Sequence, residues 1–250
     1  MTVLITLAYL LAAVLFILGL KQLSSPKGAR NGNFTAALGM VVALGATIPL
    51  LHFTQAGMTI TAIGVVIGAV IGTFGARVVR MTAIPQMVAL FNGVGGGAAA
   101  LVAVAELLKL GVHPPFSEVL PSVFSIVIGS VSFAGSLVAF SKLQELMTGT
   151  PITYPGQQVV NAVLAALIVG FAVAVLAVAS IPFSFLSLMV LALILGVAFV
   201  LPIGGADMPV VISLLNACTG LAVAASGFTL NNFALIVAGT LVGASGSLLT

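Results

Sequence analysis

The sequence predicts an all-α polytopic membrane protein: a bundle of nine transmembrane helices with its N-terminus outside the cell and its C-terminus in the cytoplasm. Two observations carry this prediction, and the alternative of a membrane barrel fits neither. Hydrophobic residues make up 61% of the 250 residues and charged residues only 4%, more apolar surface than a soluble domain can bury. The apolar residues fall into runs of membrane-spanning length. Strands of a membrane barrel would be shorter and would alternate polar with apolar residues.

Nine apolar runs are long enough to cross the hydrocarbon core, the shorter ones if they stand nearly upright. In chain order they are Val3–Leu20, Thr35–Leu51, Met58–Gly75, Ile84–Ala105, Val119–Phe140, Val159–Ala179, Phe183–Val200, Met208–Phe228 and Phe233–Leu249. The first run has no basic segment before it, so we interpret it as a retained helix and not as a cleaved signal peptide.

Basic residues are distributed unevenly between the connections. Those after the first, third and fifth runs contain Lys21, Lys27, Arg30, Arg77, Arg80 and Lys142. Of the even-numbered connections, only the one after the fourth run has a basic residue, Lys109. Because lysine and arginine are retained on the cytoplasmic side, this pattern predicts the stated orientation and places Asp207 at the cytoplasmic face. It also explains the net charge of +3 without a nucleic-acid partner.

Glycine recurs at helical spacing in two runs. The third run has Gly64, Gly68 and Gly72, and the ninth has Gly239 and Gly243 followed by Gly246. Small residues at this spacing let helices approach closely, which matters where lipid is as apolar as leucine. We expect a packing surface on each of these helices.

The fourth run contains the segment NGVGGGA, from Asn92 to Ala98. Its glycines superficially resemble a dinucleotide fingerprint, but that motif needs a preceding strand and a helix N-terminus. Here the segment lies in the middle of an apolar run. We therefore exclude a nucleotide site and expect a close helix crossing, or room for water.

Polar side chains at membrane depth are few. Asn92 and Asn216 each lie eight or nine residues inside their runs, roughly 12–13 Å deep, and these runs point the same way. Ser136 lies about five residues above the cytoplasmic end of the fifth run. The asparagines either bond to each other or to a carbonyl, holding helices together with about a kcal/mol, or they hold a chain of water. The sequence leaves both interpretations open.

Other polar residues have simpler interpretations. The acidic residues Glu106, Glu118 and Glu145 and the histidines His52 and His113 lie near the ends of runs, where we expect interfacial positions. Cys218 is the only cysteine, so it cannot form an internal disulfide and is interpreted as a small packing residue.

Just ahead of the eighth run lies Asp207, the only aspartate in the chain. One interpretation is an N-cap: the carboxylate accepts a backbone N–H of the first turn, where Pro209 is tolerated. The other is that Asp207 lies at the entrance of a polar track formed by Ser213, Asn216 and Thr219. These three residues are three positions apart, which places them along one side of the helix.

The stretch GGADMPVVISLLNA-TG, from Gly204, is followed by GF, LNN and ALIVAGTLVGASGSLL. It closely resembles the β-subunit membrane domain of proton-translocating nicotinamide nucleotide transhydrogenases. The resemblance implies that residues 1–250 form a membrane domain that couples inward proton translocation to hydride transfer from NADH to NADP⁺. It places the protein in a bacterial inner membrane. It also implies that NADP(H) and NAD(H) bind to soluble domains outside this chain, the NADP(H) domain following Thr250, with no cofactor or metal in the chain itself.

The resemblance also implies roles for particular residues. The proton path and coupling positions fall on Asn92, Ser136, Asn216 and Asp207, and the conformational helix carries Gly239, Gly243 and Gly246. In relatives a histidine occurs either at the position aligned with Asn92 or on a membrane helix of a partner α-subunit. Because an amide does not titrate, the resemblance implies a histidine from the partner α-subunit, in a complex that is a dimer of protomers.

Two other classes of protein were considered. A secondary transporter or channel for a small solute, with the two asparagines as ligands, would show an internal repeat relating two halves. No convincing repeat is present, and nine helices divide poorly into two. A structural membrane anchor would not need polar residues near the midplane.

Overall fold

A computed structural model of the chain describes residues 2–50, 54–109, 115–177 and 182–249. These residues form nine α-helices and no strand, which confirms the all-α prediction. The helices are α1 (Thr2–Leu23), α2 (Ala29–Thr47), α3 (Gln55–Val78), α4 (Ile84–Lys109), α5 (Phe116–Leu143), α6 (Gln157–Ala177), α7 (Pro182–Val200), α8 (Met208–Thr229) and α9 (Phe233–Leu249). The two histidines, His52 and His113, and the ends of the second and sixth predicted runs lie outside the described residues.

Seven of these helices, α1 to α6 and α8, are long and apolar enough to cross a membrane. Helices α7 and α9 contain shorter apolar segments, Phe185–Val200 and Phe233–Leu248. The chain is therefore a helical membrane protein by length and composition. The count of nine spans and the orientation of the termini stay predictions.

Several helices extend beyond the predicted apolar runs. As a result, Lys21, Arg77, Lys109 and Lys142 occupy the last turns of α1, α3, α4 and α5 and not the connections. A positive charge in the last turn is favourable because the helix macrodipole is negative there.

Residues 1–84 form one compact unit, in which α1 and α2 are paired. A Cβ at Gly32 would lie 2.7 Å from the Gly19 carbonyl oxygen, so small residues let these two helices approach. The packing surface expected on α3 is not observed within this unit. At Gly64, Gly68 and Gly72 a Cβ would meet nothing within 4 Å among the described residues, and most of α3 is exposed.

Residues 85–250 form the second unit, with α5 at its centre. Helices α7 and α8 both pack on α5. One apolar core surrounds Ile126 and Leu188, and another surrounds Met208 and Leu215. Small residues on α5 let its neighbours come close; for example, a Cβ at Gly135 would lie 3.2 Å from Leu215.

Helices α8 and α9 contact each other through glycine. A Cβ at Gly239 would lie 2.6 Å from the Gly220 carbonyl oxygen, and one at Gly246 would lie 2.7 Å from the backbone nitrogen of Ala217. At Gly243 the nearest atom, the Ala217 carbonyl oxygen, is 3.4 Å away. The packing surface predicted for the ninth run is thus confirmed, most tightly at its first and last glycines.

The close helix crossing expected at NGVGGGA is also present. A Cβ at Gly96 would lie 2.9 Å from the Gly129 carbonyl oxygen, and one at Gly129 would lie 2.5 Å from the Gly96 carbonyl oxygen. Helices α4 and α5 therefore touch backbone to backbone, and a side chain at either position would force them apart. This crossing positions the polar residues of the two helices.

Candidate functional site

Asn92 on α4 and Ser136 on α5 are brought together in the second unit. The Asn92 side-chain nitrogen donates to the Ser136 hydroxyl at 2.8 Å and to the Ser132 hydroxyl at 3.3 Å. Asn92 is only 7% exposed, and both serines are fully buried. The contact depends on Gly93, where a Cβ would lie 3.1 Å from the Ser136 Cβ. Two of the candidate residues named from the sequence, Asn92 and Ser136, are therefore in direct contact.

Ser132 joins this pair to α8. Its hydroxyl donates to the Leu215 carbonyl oxygen at 2.8 Å and lies 2.5 Å from the Thr219 hydroxyl. A serine hydroxyl has one hydrogen and two lone pairs. With that hydrogen on Leu215, Thr219 and Asn92 must both donate to Ser132. We call Asn92, Ser132, Ser136 and Thr219 the polar cluster; its bonds connect α4, α5 and α8.

The polar cluster lacks one hydrogen-bond donor. The Asn92 side-chain oxygen is buried and has no partner among the described residues. An amide oxygen only accepts hydrogen bonds, and leaving it unpaired in the interior costs about 1–3 kcal/mol. The group that would complete the cluster is therefore an N–H or O–H donor.

The predicted polar track on α8 is wrong in its geometry. Thr219 contacts α5, but the Ser213 hydroxyl donates to the Gly246 carbonyl oxygen on α9 at 3.0 Å. Three residues turn a helix by about 300°, roughly 60° short of a full turn. Side chains three positions apart therefore rotate progressively around α8 and come to face different neighbouring helices. Asn216 lies between these two faces, half-buried, with no hydrogen bond to the described residues and none to Asn92.

The predicted capping bond of Asp207 is also wrong. Asp207 occupies the N-cap position of α8, yet its side chain accepts no capping hydrogen bond. A 3₁₀ turn, Gly205–Asp207, leads directly into the helix, and Asp207 has helical dihedral angles of −91° and −2°. A capping side chain needs an extended backbone to reach the first turn. The carboxylate is instead exposed.

A second set of hydroxyl groups lies farther toward the start of α5, and the sequence analysis missed it. The Ser125 hydroxyl bonds to the Ala222 carbonyl oxygen at 3.0 Å and lies 2.8 Å from the Ser226 hydroxyl. One turn away, Ser122 and Thr229 are 3.2 Å apart. The available signal was the spacing of serines on α5, because positions 122, 125, 132 and 136 share one helical face.

No metal centre is indicated in the described part of the chain, which contains no group of three or more potential His, Cys, Asp or Glu ligands. Cys218 on α8 is half-buried and free. The chemistry available at the site is therefore hydrogen bonding among amide, hydroxyl and carbonyl groups.

Comparison with known proteins adds two findings. Residues 5–250 match the family model described as NAD(P) transhydrogenase beta subunit. Two relatives from Rhodospirillum rubrum, one of them from a designated strain, are both named NAD(P) transhydrogenase subunit beta. Each is 44% identical over 97% of this chain. The match covers 53% of each relative, so the chain spans about half of their length.

Proposed function

The chain belongs to the NAD(P) transhydrogenase beta subunit family, and we propose that it forms the proton-translocating membrane part of a transhydrogenase complex. In this proposal inward proton movement through α4, α5 and α8 drives hydride transfer from NADH to NADP⁺. Hydride transfer itself takes place on soluble NAD(H)- and NADP(H)-binding domains outside residues 1–250. The complex is a dimer of protomers in a bacterial inner membrane. The family match gives no support to the alternative of a solute transporter.

The unpaired Asn92 oxygen is the observation that carries this proposal. It needs a donor within the membrane, and a histidine on a helix of a partner α-subunit meets that need. An imidazole donates an N–H, and it gains or loses a second proton near neutral pH. Asn92 itself does not titrate, so it orients the imidazole while the partner carries the proton.

The bonds of the polar cluster suggest how a change of protonation reaches α8. Both donor hydrogens of the Asn92 amide are directed at serines on α5, and Ser132 in turn bonds to Leu215 and Thr219 on α8. When the donor to the Asn92 oxygen gains a proton, its hydrogen bond to that oxygen becomes stronger. The other bonds of the polar cluster then change together, because hydrogen bonds in series polarise one another. Asn216, half-buried on α8, makes none of these bonds; we propose it as a second coupling position on the basis of the family resemblance alone.

Coupling then requires that α8 pass the change to the nucleotide domains. Asp207 occupies the N-cap position of α8, and its exposed carboxylate is the proposed contact for the NADP(H) domain. Helix α9 moves together with α8, because Gly239, Gly243 and Gly246 hold the two backbones close. Proton occupancy and nucleotide affinity are thereby linked as two sites that exchange free energy, and this linkage is reciprocal.

Substitution of Asn92 by leucine in the complete complex tests the proposal. Leucine has a similar size but no hydrogen-bonding group, so proton-linked hydride transfer should fall about tenfold or more, as for loss of a buried hydrogen-bond pair. The matched control is Asn161→Leu on α6, where a buried amide oxygen also lacks a partner but lies outside the polar cluster. Equal coupled turnover in both variants, at equal protein abundance, would contradict the proposed role of Asn92.

A further inference from the structure

Lys142 is a buried lysine at the end of α5. Its side chain is 2% exposed, whereas Lys21, Lys27 and Lys109 are all exposed. A lysine that only sets membrane orientation fulfils that role at the surface. Removing an ammonium group from water is unfavourable unless other groups replace the water. The burial of Lys142 therefore indicates a further role.

The partners of Lys142 are backbone carbonyl groups of two different loops. Its ammonium donates to the Leu201 oxygen at 2.6 Å, to the Ile203 oxygen at 2.7 Å and to the Thr150 oxygen at 3.4 Å. An ammonium group has three donors, so these carbonyl groups account for all of them. The ion pair found among the described residues joins Lys109 to Glu106. Within that part of the chain Lys142 therefore has carbonyl groups, and no carboxylate, as partners.

The two loops are residues 144–156, between α5 and α6, and residues 201–207, between α7 and α8. They also bond to each other directly. The Ile152 backbone nitrogen donates to the Leu201 oxygen at 3.1 Å, and the Gly205 nitrogen donates to the Gly149 oxygen at 2.7 Å. Gly205 begins the 3₁₀ turn that contains Asp207. Lys142 therefore bonds to the loop that ends at Asp207.

Helix α5 connects this loop to the polar cluster. Ser136 and Lys142 are six residues apart on the same helix, about 9 Å along its axis. A displacement of α5 at the cluster is transmitted along the rigid helix to Lys142, and its charge-assisted bonds pass it on to Leu201 and Ile203.

We propose that Lys142 is a positioning residue that fastens the Asp207 loop to the end of α5 and so links the polar cluster to Asp207. This inference rests on the proposed function, in which Asp207 contacts the NADP(H) domain. It adds a second connection between the cluster and Asp207, parallel to the one through α8.

The test replaces Lys142 by methionine, which keeps the apolar stem but removes the ammonium group. A reporter cysteine is placed at Ile203, a partly buried position of the same loop that packs against the apolar core around Met208, in a Cys218→Ala background. The complete complex is labelled with a maleimide in permeabilised vesicles, so that the result does not depend on orientation. We expect the labelling rate to rise and coupled hydride transfer to fall, each by about tenfold, as for one charge-assisted hydrogen bond. Lys109→Met, an exposed lysine, is the control and should change neither.

The conservative variant Lys142→Arg separates positioning from packing. If Lys142 acts through its charge and donors, arginine preserves coupled turnover better than methionine; a packing role predicts the opposite order and would overturn the proposal. Unchanged labelling in Lys142→Met would overturn it too, as would faster labelling with intact coupled turnover.

If Lys142→Met does not accumulate, Ile152→Pro provides an independent variant, because proline removes the backbone N–H that bonds to Leu201. It should raise labelling and lower turnover in the same direction, and no change in either would contradict the proposal. Asp207→Asn is measured in parallel. Full activity in that variant would contradict the proposed function, while the labelling rates still show whether Lys142 holds the loop.

Discussion

Ser132 and Ser130 form a matched pair on α5 that isolates the contribution of the polar cluster. Both side chains are almost completely buried, and both are shortened by the same atom on substitution by alanine. Ser132 bonds to Asn92, Leu215 and Thr219. The Ser130 hydroxyl has no partner among the described residues. Any difference between the two variants therefore reports the bonds and not the change in volume.

The expected magnitude follows from those bonds. Side-chain hydrogen bonds inside membrane proteins contribute about 0.6 kcal/mol each on average, so the three bonds of Ser132 amount to roughly 2 kcal/mol. The Leu215 carbonyl group and the Thr219 hydroxyl would also lose a buried partner, which adds about 1 kcal/mol or more. We expect Ser132→Ala to lower the free energy of unfolding by about 2–3 kcal/mol. Ser130→Ala should be neutral or slightly stabilising, because it removes an unpaired hydroxyl.

The assay is unfolding of the purified complex in mixed micelles, combined with coupled hydride transfer in vesicles. Ser132→Ala should lose stability and coupled turnover together, whereas Ser130→Ala should retain both. If the two variants lose the same stability, the bonds of Ser132 do not hold α5 to α8. If Ser132→Ala is destabilised but couples normally, the cluster is structural and the argument from its geometry to function fails.

Two further substitutions test the other parts of the mechanism. Asp207→Asn should leave the abundance of the protein normal, since the carboxylate makes no capping bond and its interaction with the helix dipole contributes only about 0.3–1 kcal/mol. Coupled hydride transfer in vesicles should nevertheless fall strongly. Full coupled turnover would refute the proposed contact between Asp207 and the NADP(H) domain. Gly220→Leu should separate α8 from α9, because a Cβ there would lie 2.7 Å from the Gly239 oxygen, and overpacking of this kind costs about 1–3 kcal/mol. The control is Gly64→Leu, whose Cβ meets nothing within 4 Å, so equal melting temperatures for the two leucine variants would contradict the packing argument.

The sequence predicted the features that depend on one helix at a time. The length of the apolar runs predicted the helices. The positions of Asn92 and Ser136 within their own runs marked them as polar residues inside the membrane, and these two residues bond to each other. Ser132 was missed because its importance depends on which face of α5 meets α8, and this is a property of the packed bundle. The same limit explains Ser213 and Thr219, which the sequence placed on one stripe although they contact different neighbours.

The remaining errors concern helix ends, where local rules compete. The composition at Asp207 favours a cap, but the preceding glycines allow a 3₁₀ turn that takes the backbone out of capping geometry. Lys142 looked like an orientation signal because its side-chain partners are main-chain carbonyl groups, which leave no pattern in a sequence.

The crossing of Gly96 and Gly129 has an electrical consequence. It lies between the polar cluster and the hydroxyl groups around Ser125, and Ser125 and Ser132 are separated by seven residues, about 10 Å along α5. At the crossing a Cβ on Gly129 would meet the Gly96 oxygen and the Ala100 nitrogen first, so two backbones fill the space. Under the proposed function, a layer with no room for water would insulate, and the membrane voltage, about 2.3 kcal/mol per charge for each 100 mV, would drop largely across it. A complex driven by a proton gradient, as we propose for this chain, needs this resistance, because a continuous row of hydrogen-bonded hydroxyl groups would let protons leak through the membrane without hydride transfer.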